Sequence, residues 1–359
     1  MTDDNVVDLA RRTGASTHEV STEPLPRLAD APPDPKDIVL CIFHRNCLDG
    51  FGAAWAVRKA AMRDRVPVEI IDAAYGDAPP PEADIAGRHV LIVDFSYPRA
   101  ALEEMARHAR SVIVLDHHVT ARDALVGLPE PLRYSKWERQ KVGYGFARTL
   151  PDLPVGTLPL AAIFDMERSG AGLVWDFFFP FVKRPVLIDQ IEDRDLWKFR
   201  FKTTRDVAAC LASYPKDFGI WDQIAASLED RVKRDMIVTA GNAINRKLQQ
   251  DIASLLATTA RRMKIGGHDV PVANLPPMWA SEAGNILAKG EPFAATYYDR
   301  NDGKRAWSLR SSDAGLDVSE IAKMYAGGGH RNASGFATEL GWEGDRDGLQ
   351  RSTDEPEGR

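Results

Sequence analysis

Val112-Ile113-Val114-Leu115-Asp116-His117-His118 is an aliphatic run of strand length that ends in an acid and two imidazoles. The run is too apolar for a strand with one face in water. It reads as a strand buried on both faces of a parallel sheet. Three runs of the same kind precede it: Ile38–Phe43, Val68–Ile71 and Val90–Val93. Between them, Phe51–Arg63 is Ala-rich, and Pro98–Arg110 opens with Pro at a helical first turn. Strands alternating with helices predict an α/β domain with right-handed crossovers over residues 38–225.

Ligands in such sheets bind beyond the carboxyl ends of the strands. Polar clusters stand at three of those ends. His44-Arg45-Asn46-Cys47-Leu48-Asp49-Gly50 follows the first run, Asp94 the third, and Asp116-His117-His118 the fourth. A further cluster, Ile191-Glu192-Asp193-Arg194-Asp195, follows the apolar stretch Pro185–Ile188. Singly, each has an ordinary use. An Asp after a strand caps the next helix, and a lone His there is a surface or capping residue. Together, His and Asp around one point suit a divalent metal with mixed nitrogen and oxygen ligands. Two such metals need a bridging carboxylate, and Asp94 is the candidate.

Downstream, Leu228, Val232, Met236, Ala240, Ile244, Leu248, Ile252 and Leu256 recur every four residues. They predict a long helix over 228–256, connecting two domains within residues 226–265. Val270–Leu275, Phe293–Tyr298 and Ala306–Leu309 read as strands, with Asn301-Asp302-Gly303 as a hairpin turn. A helix over Val318–Tyr325 runs into Gly327-Gly328-Gly329-His330. These elements predict a smaller α+β domain over 266–342. The glycines are either a helix C-cap and turn or a loop whose N–H groups approach an anion. Arg310 could add a bidentate clamp.

The 359 residues carry 46 Lys+Arg against 52 Asp+Glu, a formal charge of −6, which excludes coating long duplex DNA by bulk charge. Three cysteines, Cys41, Cys47 and Cys210, without a CxxC pair exclude a disulfide scaffold and a zinc ribbon. They predict a reducing cytoplasm. No apolar run nears the ~18 residues of a membrane span, so no membrane partner is expected. Arg11-Arg12 lacks the apolar segment of an export signal. GxSxG, GxxxxGK[ST] and HExxH are absent, and Gly143-Tyr144-Gly145-Phe146 reads as loop. Residues 1–37 and 343–359 are polar, with prolines or charges crowded together, and read as disordered tails.

In their order, these clusters resemble the motifs of the DHH phosphoesterases, named for the triplet seen here as Asp116-His117-His118. Gly327-Gly328-Gly329-His330-Arg331-Asn332-Ala333 resembles the signature of the DHH-associated C-terminal domain. That pairing occurs in nanoRNases, in phosphatases of linear dinucleotides and 3′-phosphoadenosine-5′-phosphate (pAp), and in RecJ-type exonucleases. The resemblance spans roughly residues 38–340. It implies a parallel-sheet domain joined by a long helix to a smaller α+β domain, with a cleft between them. It implies hydrolysis of short single-stranded oligonucleotides or dinucleotides by water activated between two divalent metals, Mn²⁺ first.

The resemblance also implies roles. His44 and Asp94 hold the first metal. Asp49, Asp94, His117 and Asp193 hold the second. Asp116 orients a neighbouring ligand, and His118 faces the scissile phosphate. Arg310, Gly328, Gly329 and His330, with Arg331 and Asn332 beside them, bind the distal nucleotide or its terminal phosphate. One position departs: Cys47 stands where the family's first motif usually carries an Asp. A thiolate there draws the site toward Fe²⁺, Co²⁺ or Zn²⁺. Otherwise the Asn46 carbonyl or water takes that place and Cys47 is a small buried residue. Asp193 is preferred to Asp195 because it lies nearer the apolar run. Bases could stack on Trp197, Tyr297 or Trp307. Hydrolysis of pAp, another monophosphate or pyrophosphate is an alternative, as is a nucleotide-binding module without turnover. A homodimer is left open.

Overall fold

The computed structural model describes residues 38–45, 47–131 and 156–345. Asn46, the loop at 143–146, the expected N-terminal tail and residues 346–359 lie outside them. Five strands make a wholly parallel sheet: β1 (Val39–His44), β2 (Val68–Ala73), β3 (His89–Val93), β4 (Ser111–Asp116) and β5 (Leu160–Phe164). Their spatial order is β2-β1-β3-β4-β5. The first four are the expected strands. The fifth, Leu160-Ala161-Ala162-Ile163-Phe164, carries two alanines and little strand propensity, yet it is buried beside β4.

Helices α1 (Leu48–Asp64), α2 (Glu82–Ile85), α3 (Arg99–His108) and α4 (Val119–Ala124) follow strands β1 to β4. After β5 come α5 (Gly170–Phe178), α6 (Val186–Asp195), α7 (Thr204–Ala212) and α8 (Phe218–Glu229). Trp55, Phe178 and Trp221 pack on one face of the sheet, and Leu102 and Met105 of α3 on the other. Fully buried side chains such as Ile92 and Leu115 each stabilise the fold by about 1.5–3 kcal/mol. The strand order reverses at β1, whose neighbours are β2 and β3. The crevice at such a reversal is where ligands bind. His44 ends β1 and Asp94 directly follows β3.

The long helix is α9 (Arg231–Thr259). At 29 residues it is about 43 Å long. Ile237 and Val238 pack against the core of the first sheet, and Ile252 and Leu256 against a second apolar cluster. Two features differ from expectation. Leu228 belongs to α8, because the Asp230 carboxylate accepts the Lys233 N–H and starts a new helix. Residues 261–265 form a strand rather than helix. A strict four-residue recurrence drifts by about 40° per repeat around a 3.6-residue helix. Val232, Met236 and Ile244 therefore stay exposed.

The second sheet contains β6 (Arg261–Ile265), β7 (His268–Asn274), β8 (Ala294–Asp299), β9 (Lys304–Arg310), β10 (Gly328–His330) and β11 (Ala333–Glu339). Its order is β10-β11-β9-β8-β7-β6, antiparallel except between β7 and β8. Helices α10 (Ala280–Leu287) and α11 (Val318–Lys323) pack on it. The expected turn joins β8 to β9: the Arg300 N–H donates to Lys304 O, with Gly303 at φ +81°. Order runs past 342, contrary to expectation. Glu343 pairs with Arg261 and Arg305, and Asp345 accepts from the Tyr325 hydroxyl. No helix among the described residues is long and apolar enough to cross a membrane.

Candidate metal centre and substrate site

Asp94 is buried at the end of β3 with its backbone at φ +62°. Left-handed backbone is uncommon for a non-glycine residue and clusters at functional sites. The turn aims the carboxylate at two histidines. Asp94 Oδ1 lies 3.1 Å from His117 Nε2, and Oδ2 lies 3.6 Å from His44 Nδ1. Burial works against the charged carboxylate, but His117 and His44 hold it well below the usual range. The close passage of α5 depends on Gly170, where a Cβ would lie 2.6 Å from Asp94 Cβ.

Asp116, His117 and His118 turn off the end of β4. Asp116 Oδ1 accepts the His117 N–H at 2.7 Å and lies 2.7 Å from His118 Nδ1. This fixes the His118 ring and the backbone of His117, and leaves His118 Nε2 for other contacts. Burial opposes a charge on His118, yet Asp116 raises its pKa above the ordinary histidine value.

Asp49 lies in the first turn of α1, but its carboxylate caps a different helix. It accepts the N–H groups of Gly170 at 2.5 Å and Ala171 at 2.9 Å, at the start of α5. Asp49 Oδ2 is also 3.6 Å from His117 Nε2. Burial, then Asp94 and Asp195, push its pKa well above the carboxylate range.

The expectation for Asp193 is corrected. The structure brings Asp195, not Asp193, to the cluster: Asp195 Oδ2 is 3.6 Å from His117 Nε2. Asp193 is fully buried elsewhere and accepts from the Arg200 and Phe201 N–H groups and the Thr204 hydroxyl. Both residues lie on α6. Asp193→Ala is expected to cost about 1–3 kcal/mol of stability, the price of leaving those donors unpaired, while metal affinity persists. Asp195→Ala is expected to lower metal affinity without destabilising the metal-free protein, because it relieves repulsion from Asp94. Thermal denaturation and Mn²⁺ calorimetry separate the two.

Four overlapping donor groups result, the ligand atoms of each lying within 4.8 Å of one another: His44/Cys47/Asp94, Asp49/His117/Asp195, Asp94/Asp116/His117/His118 and His117/His118/His330. Asp94 Oδ2, Asp116 Oδ2 and His117 Nδ1 are buried without a hydrogen-bond partner among the described residues. Buried polar atoms are almost always paired, so such orphans point to a missing ligand. Burial disfavours a proton on His117, but Asp94, Asp195 and Asp49 raise its pKa well above the histidine range. A site that draws a proton so strongly also suits a divalent cation. Burial, with Asp94, Asp195 and Asp49, pushes the Cys47 thiol well up.

The second sheet supplies the other wall. His330 ends β10 and stacks on His118, with ring centroids 4.5 Å apart and 29° between planes. Burial, His118 and His117 depress its pKa to about 3. Gly328 lies against α4, where a Cβ would meet Thr120 Cγ2 at 3.0 Å. Gly329 adopts φ +143°, and a Cβ there would lie 2.6 Å from Ala333 O. Arg331 and Asn332 are not brought to the cluster. Arg331 Nη2 donates to Gly315 O, and Asn332 Nδ2 to Asp313 Oδ1, so both side chains brace the 311–317 loop.

Residues 280–351, which include Arg310 and Gly328–His330, match the DHHA1 domain family. The chain thus resembles the DHH phosphoesterases in its second domain as well as in its first. Its fold is similar to the DHH domain of a protein described as a member of a ribosomal-protein family, at TM-score 0.51 and 13% identity, covering 85% of this chain and 83% of that one. Uncharacterized protein R106 of Acanthamoeba polyphaga mimivirus is 27% identical over 321 residues, covering 85% of this chain and 68% of the viral protein. RecJ from Thermus thermophilus, solved in complex with Mn²⁺, is 15% identical with a TM-score of 0.42, covering 88% of this chain and 53% of RecJ.

Two of the expected stacking aromatics are core residues. Tyr297 and Trp307 are buried under the second sheet, and Trp307 stacks on Phe336. Tyr75, which no sequence pattern marks, stands at the site instead. Its exposed ring lies 5.5 Å from that of His44 and 5.8 Å from that of His118.

Proposed function

We propose that the chain hydrolyses phosphodiester bonds of short single-stranded oligonucleotides or linear dinucleotides. The observation that carries this reading is Asp94, set at the switch point between the groups His44/Cys47/Asp94 and Asp49/His117/Asp195. That arrangement supports two divalent ions sharing Asp94, with Mn²⁺ the first candidate and Fe²⁺, Co²⁺ or Zn²⁺ favoured if Cys47 ligates. Ions held there would lower the pKa of bound water and stabilise charge on the attacking and leaving oxygens. Such chemistry is needed, because phosphodiester cleavage demands rate gains toward about 10¹⁷-fold. One acid–base pair supplies only about 10²–10⁴-fold.

The protein's own groups position the substrate and move the proton. His118 is oriented through Nδ1 by Asp116, so Nε2 contacts the scissile phosphate and donates a proton to the leaving oxygen. His330, stacked on His118, excludes water from one side, and Gly328 and Gly329 let β10 pack closely against Thr120 and β11 to hold it there. Tyr75 offers its face to a base. Three free cysteines fit a reducing compartment.

The test is hydrolysis of a 5′-labelled RNA ladder of two to ten nucleotides with Mn²⁺, with and without EDTA, beside pAp and pyrophosphate. Chelator-sensitive cleavage concentrated on dimers to pentamers is expected. Turnover of pAp or pyrophosphate alone would replace this reading with a phosphatase or pyrophosphatase. His118→Ala is expected to lower turnover about 10²–10⁴-fold, the contribution of one proton donor, while calorimetry still shows Mn²⁺ binding. Loss of the metal instead would make His118 a ligand.

A further inference from the structure

A chain of alternating charges joins α5 to α6 through side chains outside the donor groups. Arg168 Nε lies 3.1 Å from Asp165 Oδ2, and Arg168 Nη1 donates to Asp176 Oδ2 at 2.9 Å. Arg184 forks onto both oxygens of Asp176, with Nε 2.7 Å from Oδ1. Its remaining nitrogen, Nη1, donates to Glu192 Oε1 at 2.8 Å. Glu192 Oε2 ends the chain by accepting the Ser169 N–H at 3.3 Å. Ser169 caps the start of α5, Asp176 lies near the end of that helix, and Glu192 lies on α6.

Stability alone does not account for Glu192, which is 7% exposed. Burying an ion pair costs desolvation that the attraction barely offsets, and apolar side chains of the same volume often stabilise as well or better. What the pair supplies is geometry, because an arginine fork fixes its carboxylates in direction as well as distance. The fit is close. A Cβ on Gly172 would lie 2.1 Å from Glu192 Oε2, so a glycine there lets the carboxylate reach the first turn of α5.

That same turn holds Asp49. Ser169 donates its N–H to Glu192, whereas Gly170 and Ala171 donate theirs to Asp49 Oδ2 and Oδ1. Glu192 also shares α6 with Asp195, three residues further on. Both carboxylates of the group Asp49/His117/Asp195 therefore depend on how α5 sits against α6. The other group hangs on different elements: His44 ends β1, Cys47 precedes α1 and Asp94 follows β3.

We propose that Glu192, locked by Arg184, is a positioning residue for one of the two metals: it sets α5 against α6 so that Asp49 and Asp195 meet at His117. The inference rests on the reading of the two donor groups as the metal sites of a phosphoesterase. Neither Glu192 nor Arg184 takes part in a donor group. They act through the turn at Ser169–Ala171.

Mn²⁺ calorimetry on the full chain tests this, with a thermal melt in EDTA beside each titration. In Glu192→Gln, one of two binding steps is expected to weaken about 10–100-fold, the usual loss when a contact supporting a ligand is removed. The other step should stay within about threefold. Gly172→Ala should repeat that pattern, since it displaces the carboxylate without removing its charge, although Ala is the better helix former. Arg184→Lys keeps the charge but not the fork, so it should weaken the same step by less, and it serves if the first two variants do not fold. In the metal-free protein, amide exchange at Gly170 and Ala171 should quicken in each variant while exchange in β1 and β3 does not. A purely structural pair would lower the melting temperature and either spare both binding steps or weaken both alike. Either pattern in the folded variants would overturn the positioning role. Cleavage of a labelled dinucleotide tells the two readings apart. Hydrolysis by the wild type, with no selective loss in the variants, would overturn the positioning role and leave the phosphodiesterase reading standing. Selective loss of one Mn²⁺ step, with no nucleotide hydrolysed by the wild type, would do the reverse.

Discussion

Asp94→Asn is expected to remove hydrolysis and divalent-metal binding together. Asn is the suitable substitution because it keeps the shape of the side chain and tolerates the left-handed backbone at φ +62°. The fold should therefore survive. What is lost is the negative charge between His44 and His117, on which both groups of donors depend. A single group that stabilises charge in the transition state is worth about 10²–10³-fold in rate, and a shared ligand should reach at least that. Mn²⁺ calorimetry and cleavage of a labelled dinucleotide check the two effects side by side. Wild-type turnover in this variant would refute the proposal that Asp94 bridges two ions.

Gly170→Ala is expected to be nearly as damaging, although Gly170 has no side chain to offer. An added Cβ would lie 2.6 Å from both Asp94 Cβ and Oδ1. The N–H of the same residue donates to Asp49 Oδ2 at 2.5 Å. One methyl group therefore disturbs a carboxylate of each donor group. Misplaced supporting contacts typically cost 10–100-fold in metal affinity, and about that loss is expected here. Overpacking should lower stability by about 1–3 kcal/mol as well. Calorimetry and a thermal melt read the two effects. Unchanged Mn²⁺ affinity would show that α5 can shift without carrying Asp49 and Asp94.

Much of the first sheet is legible in the sequence because strands buried on both faces need continuous aliphatic runs. Two strands depart from this: β2 (Val68–Ala73) lies at the sheet edge and is only partly buried, and the alanines of Leu160–Phe164 satisfy burial without advertising a strand. The choice between Asp193 and Asp195 shows a different limit. Two residues apart on a helix point about 200° away from each other. Only one of the pair can face His117, and distance from an apolar run says nothing about which. Arg331 and Asn332 misled for a related reason. Adjacent to His330 in sequence, they sit at the β10–β11 turn, where their side chains serve the neighbouring loop. Tyr75 had no pattern to announce it: a single aromatic after a strand is ordinary until the fold puts it beside His44 and His118.

The stack of His330 on His118 joins residues made far apart in time. At roughly 5–20 residues per second, a ribosome needs about 10–40 s to travel from one histidine to the other. Throughout that interval the first sheet can already have folded, with Asp94, Asp116 and His117 in place. The wall that Gly328, Gly329 and His330 provide does not yet exist. A nascent chain thus carries the clustered acids and imidazoles of the first domain before it has the histidine that covers His118.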